Sequence, residues 1–220
     1  MCGRYSNLTP VEAMRRLFAA GNGLLGEWQP RANLAPTQWL PVVRFNPATQ
    51  TRSLDLLRWG LAPRWAADLS VGVKAINARA ETLAERPTFR EAFSKRRCLI
   101  PATGFYEWSG KQPYAIGRPD RSTIAFAGLW EGWRGPDGVV IRTFTIITQA
   151  PDEQVKPLHD RMPAILPPEA WPPWLGEIEA SPEDLQALLA PAQTHGLVVT
   201  AESLSPGDAS RQPPPDLFGR

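Results

Sequence analysis

The sequence predicts an α+β fold: a single domain with a curved, mostly antiparallel β-sheet or barrel-like core and a few short helices. Short apolar segments of strand character recur along the 220 residues and are separated by turn residues. The 24 prolines, roughly twice the usual share, favour short elements joined by rigid turns. No internal repeat and no interdomain linker interrupts the pattern, which favours one domain.

Three segments predict the starts of short helices. Residues 9–12 (Thr-Pro-Val-Glu) and 88–91 (Thr-Phe-Arg-Glu) have the pattern of a capping box, in which threonine and glutamate side chains satisfy backbone N–H groups. The second helix would end near Arg96. A third would begin at 181–184 (Ser-Pro-Glu-Asp) and end near Ala190. The apolar face of the first helix would consist of Met14, Leu17 and Phe18.

Strands are predicted wherever apolar and aromatic residues alternate between turn signals. The candidates in chain order are Trp39–Phe45, Leu54–Trp59, Cys98–Ile100, Gly104–Trp108, Tyr114–Ile116, Ile124–Trp130 and Val139–Thr148. Pro136-Asp137-Gly138 would form a hairpin turn between the last two. Cys98 is interpreted as a small residue of the core.

The composition is that of a soluble protein and excludes several classes. There is no run of about 18 apolar residues, so no membrane span is expected. Arg4, Arg15 and Arg16 interrupt any signal peptide. The two cysteines, Cys2 and Cys98, suit a reducing compartment better than a disulfide scaffold. We therefore expect a cytoplasmic protein.

The charge and the aromatic content are compatible with nucleic acid but do not prove it. The formal net charge is only +2. Four of the 24 basic residues are lysines. Arginine is the better bidentate ligand for phosphate, although a GC-rich genome produces the same bias. The nine tryptophans could stack on bases, although packing in a core is their commoner use.

Cys2 directly follows the initiator methionine, which is an unusual place for a thiol. Cysteine is small enough for an aminopeptidase to remove Met1, and Cys2 would then carry a free α-amine beside its thiol. The amine has a pKa of roughly 7.7–8.0 and the thiol roughly 8.5, so both nucleophiles are partly available near neutral pH. Such an aminothiol condenses with an aldehyde to an imine, and the thiolate then closes a thiazolidine ring. The alternative is an ordinary residue of a frayed terminus.

Glu107 and His159 are the candidate proton carriers. In a strand over 104–108, Phe105 and Glu107 share one face, and desolvation among aromatic neighbours would raise the pKa of the Glu107 carboxyl. A glutamate on an edge strand that points to water fits the sequence equally well. His159 could face a cleft or be a solvated loop residue, whereas His195 is interpreted as structural.

Asn77 offers a donor and an acceptor that could hold an amine or a sugar oxygen, although an asparagine often stabilises a turn. The cysteines and histidines are not paired at the spacing of zinc ligands, so no metal is expected. The sequence also lacks the G-x-S-x-G of serine hydrolases and the phosphate-binding G-x-x-x-x-G-K-[ST]. No cofactor is expected.

Six short motifs follow one another in a specific order. They are Met1–Tyr5 (MCGRY), Asn33–Thr37 (NLAPT), Trp59–Pro63 (WGLAP), Ile76–Thr82 (INARAET), Gly104–Trp108 (GFYEW) and His159–Pro163 (HDRMP). In this order and spacing they resemble the SRAP family (SOS-response-associated peptidase), the abasic-site processing proteins. The resemblance runs from Cys2 to about Leu166. We expect an SRAP-type domain over residues 2–204 and a flexible tail over 205–220.

The resemblance implies that the protein binds single-stranded DNA and couples covalently to an abasic site, whose ring-opened sugar is an aldehyde. The implied catalytic residues are Cys2 as the nucleophile, Asn77 to position the N-terminus and the sugar, Glu107 to shuttle protons during formation and slow reversal, and His159 to assist opening of the sugar ring. The implied DNA-binding residues are Arg4, Arg79 and Arg86 on phosphates, and Pro36, Trp65 and Trp108 against flanking bases. The expected protein is a monomer without a membrane partner, associated with the nucleoid when bound to DNA.

An imine alone would acidify the neighbouring sugar proton and allow β-elimination, which cuts the strand. Addition of the thiolate consumes the imine and shields the DNA from this lyase-like cleavage. Two other functions are consistent with the sequence. An N-terminal cysteine peptidase could remove Met1 from itself, but it needs a base and an oxyanion hole. A non-catalytic module for single strands would use the arginines and tryptophans and have no use for Cys2.

Overall fold

The computed structural model describes residues 2–22, 28–190 and 196–203, and short strands dominate them. The helices are α1 (Val11–Phe18), α2 (Arg90–Lys95), α3 (Trp171–Leu175) and α4 (Pro182–Ala187). The strands are β1 (Tyr5–Asn7), β2 (Ala20–Asn22), β3 (Arg31–Leu34), β4 (Trp39–Asn46), β5 (Thr51–Trp59), β6 (Asn77–Arg79), β7 (Arg97–Ala102), β8 (Gly104–Ser109), β9 (Gln112–Gly117), β10 (Ile124–Arg134), β11 (Val140–Gln149), β12 (Met162–Pro163) and β13 (Val198–Ala201). This content confirms the predicted α+β class with a few short helices.

Five of the strands close into a barrel. β4 and β5 form one hairpin, β10 and β11 form another, and β7 lies between β4 and β10. The ring closes where β11 runs parallel to β5, with Phe144 opposite Trp59. All other neighbours in the ring are antiparallel, so the predicted curved, mostly antiparallel core is confirmed. The predicted hairpin turn is also formed, with Gly138 at a φ of 81° that favours glycine.

A second sheet has the antiparallel order β13-β9-β8-β1-β3 and packs on the barrel through aromatic side chains. The Tyr5 ring of β1 meets the rings of Trp59 and Phe126 edge-on, at centroid distances of 5.3 and 5.9 Å. Phe105 of β8 makes a similar contact with Phe126 at 6.1 Å. Burying each of these side chains contributes on the order of 1.5–3 kcal/mol. The contacts therefore merge both sheets into one core.

The first predicted capping box, at the start of α1, is wrong. Pro10 is the N-cap residue and α1 begins at Val11 without a side-chain cap. The Thr9 hydroxyl pairs instead with the hydroxyl of Thr123 at 2.7 Å, so it is not available to the helix. Leu17 is 45% exposed, which corrects one member of the predicted apolar face. The buried members of that face are Met14 and Phe18.

The other two helix starts differ from each other. The capping box predicted at 88–91 is wrong: Phe89 is the N-cap residue, α2 has no side-chain cap, and the carbonyl of Arg86 accepts the N–H groups of Phe89 and Arg90. The third helix begins within the predicted segment, and there Ser181 and Asp184 cap each other's backbone at the start of α4, in a capping box that was not predicted.

Helix α3 was not predicted, because Pro172 and Pro173 lie in it. Both occupy the first turn, where a backbone N–H would have no partner within the helix, so the turn tolerates them. The indole of Trp174 donates to the carbonyl oxygen of Cys98 at 2.9 Å. Cys98 itself is completely buried in β7, as predicted for a core residue.

Three predictions fall on parts of the chain outside the described residues: the removal of Met1, the structural role of His195 and the tail over 205–220. Among the described residues, no helix combines the length and the apolar character needed to cross a membrane.

Candidate active site

Cys2 lies just before β1, and its side chain is completely buried. Its Sγ is 3.8 Å from the carbonyl oxygen of Arg4, and the same oxygen accepts the backbone N–H of Tyr106 at 3.0 Å. The start of the chain is thus bonded to β8. Burial raises the pKa of the Cys2 thiol well above its usual range, and the negative charge of Glu107 raises it further. The thiol is therefore protonated at neutral pH, and a nucleophilic attack requires a group that accepts its proton.

Glu107 provides the carboxyl whose negative charge raises the pKa of this thiol. It lies on β8, between β1 and β9, and is only 3% exposed, so the alternative of an edge-strand glutamate facing water is wrong. Burial raises the pKa of Glu107, as the sequence predicted, although a protonated His159 ring acts in the opposite direction. The carboxyl therefore interacts electrostatically with both the Cys2 thiol and the His159 imidazole.

His159 lies between β11 and β12, and its side chain is 26% exposed, so it is neither fully solvated nor fully buried. Its Nδ1 is 2.9 Å from the backbone nitrogen of Arg161 and also 2.9 Å from Oδ1 of Asp160. Because a backbone N–H can only donate, Nδ1 is the acceptor in the neutral ring and Nε2 carries the proton. Asp160 becomes an ion-pair partner only when the ring is charged. Nε2 is thus the nitrogen that donates in the neutral ring.

Arg161 connects the His159 loop to the segment that carries Asn77. Its guanidinium forms a bidentate ion pair with Glu81, at 2.7 and 2.9 Å, and donates to the carbonyl oxygen of Thr148 at 2.6 Å. Thr148 lies on β11, which runs parallel to β6. The hydrogen bonds from Arg161 lower the pKa of Glu81, so the pair is ionised at neutral pH. The sequence placed both residues in motifs but did not predict this connection.

Asn77 begins β6, so it lies in a strand rather than a turn, and it is half-buried. Its Nδ2 donates to the carbonyl oxygen of Ile76 at 3.0 Å, while its buried Oδ1 has no hydrogen-bond partner among the described residues. A buried acceptor without a partner costs about 1–3 kcal/mol. Trp59 connects this strand to β1, because its indole donates to Ile76 at 2.9 Å and its ring packs against Tyr5. The Oδ1 atom is suited to receive an N–H or O–H group of a ligand.

Four of the six residues predicted to bind DNA are more exposed than the residues predicted to do chemistry. Trp65 is 66% exposed and Trp108 is 38% exposed, which is unusual for such large apolar side chains. Arg79 and Arg86 are also exposed. These four side chains can therefore contact a polymer that stays outside the fold.

Arg4 and Pro36, the remaining two predicted DNA-binding residues, are half-buried where β1 meets β3. Arg4 donates from Nη1 to Oδ1 of Asn33 at 2.8 Å. The following turn continues to Thr37, which has a left-handed φ of 73° and donates its N–H to the carbonyl oxygen of Trp59 at 2.9 Å. The motif over 33–37 is thus a turn held between Arg4 and the barrel. The Arg4–Asn33 pair is a further connection between motifs that the sequence did not predict.

The sequence matches the family model "SOS response associated peptidase (SRAP)" over residues 1–203. The chain belongs to the SRAP family. The match confirms the resemblance that the six motifs predicted. Among the curated members of the family, the abasic site processing protein YoqW of Bacillus subtilis is 42% identical over 197 residues, which cover 87% of each chain. The abasic site processing protein HMCES of Gallus gallus is 30% identical over 237 residues, covering 88% of this chain and 70% of its own.

Solved structures share the SRAP architecture described above. An X-ray structure of a protein from Bordetella bronchiseptica superposes with a TM-score of 0.79 at 31% identity, covering 92% of this chain and all of its own (100%). One from Bacteroides thetaiotaomicron has a TM-score of 0.83 at 24% identity, covering 96% of this chain and 100% of its own. Because its sequence identity is low, the structure from Bacteroides thetaiotaomicron shows only that the fold is shared and supports no conclusion about activity.

Proposed function

We propose that this SRAP protein processes abasic sites: it binds single-stranded DNA and forms a covalent thiazolidine between Cys2 and the aldehyde of the site. The reaction requires removal of Met1, so that Cys2 carries a free α-amine beside its thiol. The observation that carries the proposal is the electrostatic interaction between the buried Cys2 thiol and the buried Glu107 carboxyl. This interaction pairs a nucleophile with a proton carrier. The abasic site processing names of relatives such as YoqW point to the same substrate.

In the first step the Cys2 amine adds to the aldehyde carbon, and proton transfer from nitrogen to oxygen gives a neutral carbinolamine. Glu107 keeps its proton to a higher pH than an exposed carboxyl, because burial raises its pKa. It donates this proton to the carbinolamine hydroxyl, which leaves as water, and an iminium ion remains. His159 opens the sugar ring by proton exchange through Nε2, and Oδ1 of Asn77 accepts an N–H of the amine.

In the second step the Cys2 sulfur adds to the iminium carbon and closes the five-membered ring. The thiol proton passes to the Glu107 carboxylate that the first step produced, so the carboxyl ends in its starting state. Aldehyde, amine and thiol are thereby converted to a thiazolidine and one water. The sugar proton beside the former imine is no longer acidified, and β-elimination is suppressed. Reversal follows the same path backward with the same proton carriers.

The exposed side chains would hold the DNA strand. Arg79 and Arg86 offer charge-assisted hydrogen bonds to phosphates. Trp65 and Trp108 offer stacking surfaces to the bases that flank the site. Because stacking and phosphate contacts do not depend on the base sequence, we expect recognition to depend on the aldehyde and not on its neighbours.

The raised pKa of the Cys2 thiol distinguishes this site from that of an ordinary cysteine peptidase. A cysteine peptidase relies on a thiolate whose pKa is lowered by a neighbouring positive charge, whereas burial and Glu107 act in the opposite direction here. A simple binding module is the alternative that the following experiment tests.

The protein is incubated with an oligonucleotide that carries one abasic site, and the products are analysed by denaturing gel and intact mass spectrometry. We expect a heat-stable band with the mass of the protein without Met1 plus the DNA, less one water. Cys2→Ala should abolish this band and retain non-covalent affinity, while Cys98→Ala, at the second buried cysteine, should leave it intact. If the wild-type protein lacks Met1 and still forms no adduct, the thiazolidine mechanism is wrong.

A further inference from the structure

Residues 60–76 form a long connection from β5 to β6, and the exposed Trp65 lies on it. The two ends of this connection are bonded to each other. The N–H of Leu61 donates to the carbonyl oxygen of Ala75 at 3.1 Å, and the indole of Trp59 donates to that of Ile76 at 2.9 Å. The base of the connection is therefore closed, and Trp65 projects from a defined structure.

Two glycines bring the outgoing and returning halves of the connection into direct backbone contact. A Cβ atom on Gly72 would lie 2.2 Å from the carbonyl oxygen of Gly60, and a Cβ on Gly60 would lie 2.7 Å from that of Gly72. Both distances are far below van der Waals contact, so no larger residue fits without a shift of the backbone. The contact fixes the outgoing and returning halves of the connection against each other.

The part of the connection that carries Trp65 is attached to β10. The indole of Trp133 donates to the carbonyl oxygen of Ala66 at 2.8 Å. The guanidinium of Arg64 donates to Oε1 of Glu131 at 2.9 Å, and the other carboxylate oxygen accepts from Arg96 at 2.7 Å. Glu131 is only 4% exposed, so its buried charge needs these two guanidinium partners, of which Arg96 is buried and Arg64 reaches the surface. One buried carboxylate and one buried indole thus hold the residues on either side of Trp65.

We propose that Glu131 and Trp133 are positioning residues that hold Trp65 as a preformed stacking platform for a base of single-stranded DNA. Neither belongs to the six motifs, and the inference rests on the proposed binding of single strands. An indole that is 66% exposed gains little from packing in the protein, yet the residues on both sides of it are anchored. Immobilising this ring before binding reduces the entropy lost when a base stacks on it.

Glu131 is well suited to test this inference, because its own side chain is not a ligand for DNA. It is buried and acidic, so it cannot stack on a base or bind a phosphate, and any effect on DNA must pass through the groups that it holds. Arg64 is less suitable, because its side chain is 58% exposed and could contact a phosphate directly. A matched control is Glu177, which forms a bidentate ion pair with Arg52 elsewhere in the fold.

The experiment is a double-mutant cycle on the dissociation constant for an oligothymidylate without an abasic site, measured by fluorescence anisotropy. We expect Trp65→Ala to weaken binding about fivefold or more. Glu131→Gln should weaken it about threefold when Trp65 is present and leave it unchanged when Trp65 is replaced by alanine. Glu177→Gln should have no effect in either background.

Two further measurements separate positioning from a structural or electrostatic role. Trp133→Phe removes the hydrogen bond to Ala66 together with part of the buried ring. It should reproduce the dependence on Trp65, which provides a second test if Glu131→Gln does not fold. The slope of log Kd against log salt should stay at the wild-type value in both variants, because a stacking platform releases no counterions.

The outcomes separate this inference from the proposed function. If the wild-type protein does not bind the oligonucleotide, the positioning inference is overturned, whereas the proposed reaction is judged by the covalent adduct at an abasic site. If it binds and Trp65→Ala weakens binding, but Glu131→Gln and Trp133→Phe act equally with and without Trp65 or not at all, the positioning inference alone is overturned. Formation of the covalent adduct at Cys2 is measured separately and can fail without affecting this result.

Discussion

The two cysteines of the protein have the same burial and different neighbours. Cys2 and Cys98 are both completely buried, and burial raises the pKa of both thiols. The next cause differs in sign, because the negative charge of Glu107 raises the pKa of Cys2 further, whereas the positive charge of Arg44 lowers that of Cys98. Cys98 lies within the barrel wall on β7, while Cys2 precedes the first strand.

This comparison teaches that burial by itself does not identify a nucleophile. A positive neighbour favours a thiolate and would ordinarily indicate the reactive cysteine, which would select Cys98. The proposed chemistry selects Cys2, because only this thiol can carry an α-amine on the same residue. The negative neighbour then serves as an acceptor of the thiol proton instead of a stabiliser of the thiolate. The following predictions test that distinction.

The largest expected effect comes from replacing sulfur by oxygen at each cysteine. Cys2→Ser keeps the α-amine and can form the imine, but its hydroxyl is a poor nucleophile at neutral pH. We expect loss of the heat-stable adduct by at least about 100-fold and an increase in strand cleavage by β-elimination, both measured on denaturing gels. Cys98→Ser should form adduct at the wild-type level. Equal loss in both variants would contradict the comparison.

The next effect concerns the proton carrier. Glu107→Gln keeps the shape of the side chain and removes its ability to exchange a proton. We expect adduct formation at saturating DNA to slow by about 100-fold, with little change in the affinity for DNA, as measured by a quenched time course and by anisotropy. The exposed Glu85→Gln serves as the control and should keep the wild-type rate. A normal rate in Glu107→Gln would exclude the carboxyl from the reaction.

A third effect concerns the thiols themselves. Removing the charge of Glu107 lowers the pKa of the Cys2 thiol, so Glu107→Gln should increase the alkylation of Cys2 by iodoacetamide at pH 8. The increase is about tenfold for each unit by which the pKa falls. Alkylation of Cys98, quantified in the same digest by mass spectrometry, should not change. A parallel increase at both cysteines would indicate general loosening of the fold rather than loss of a local charge.

The smallest effect is on stability. Burial raises the pKa of Glu107 above its unfolded value, so the folded state binds its proton more tightly. The resulting contribution to stability is fully present below the unfolded pKa, near 4.3, and is lost as the pH rises through the raised folded pKa. Glu107→Gln should therefore melt a few degrees above the wild type at pH 8 and at about the same temperature at pH 4. A constant difference at both pH values would contradict this linkage.

Local sequence patterns predicted the elements that depend on neighbouring residues. The alternating segments became the barrel hairpins, and the third helix begins within the segment predicted to start it. The box at Thr9 failed because a hydroxyl from a distant segment, that of Thr123, competes for the same side chain. Helix α3 was not predicted because prolines ordinarily indicate a helix break, and the sequence pattern does not show that these two occupy the first turn, where proline is tolerated. In each failure a partner or a position outside the pattern decided the outcome.

The sequence by itself determined the family, the fold class and the candidate side chains, because ordered motifs and alternation are properties of the linear chain. Only the tertiary structure decided that Glu107 is buried and acts on Cys2, that Glu81 binds Arg161, and that Glu131 holds the connection carrying Trp65. Burial and pairing depend on which faces of two sheets meet. Those contacts join residues far apart in the chain, so no local pattern contains them.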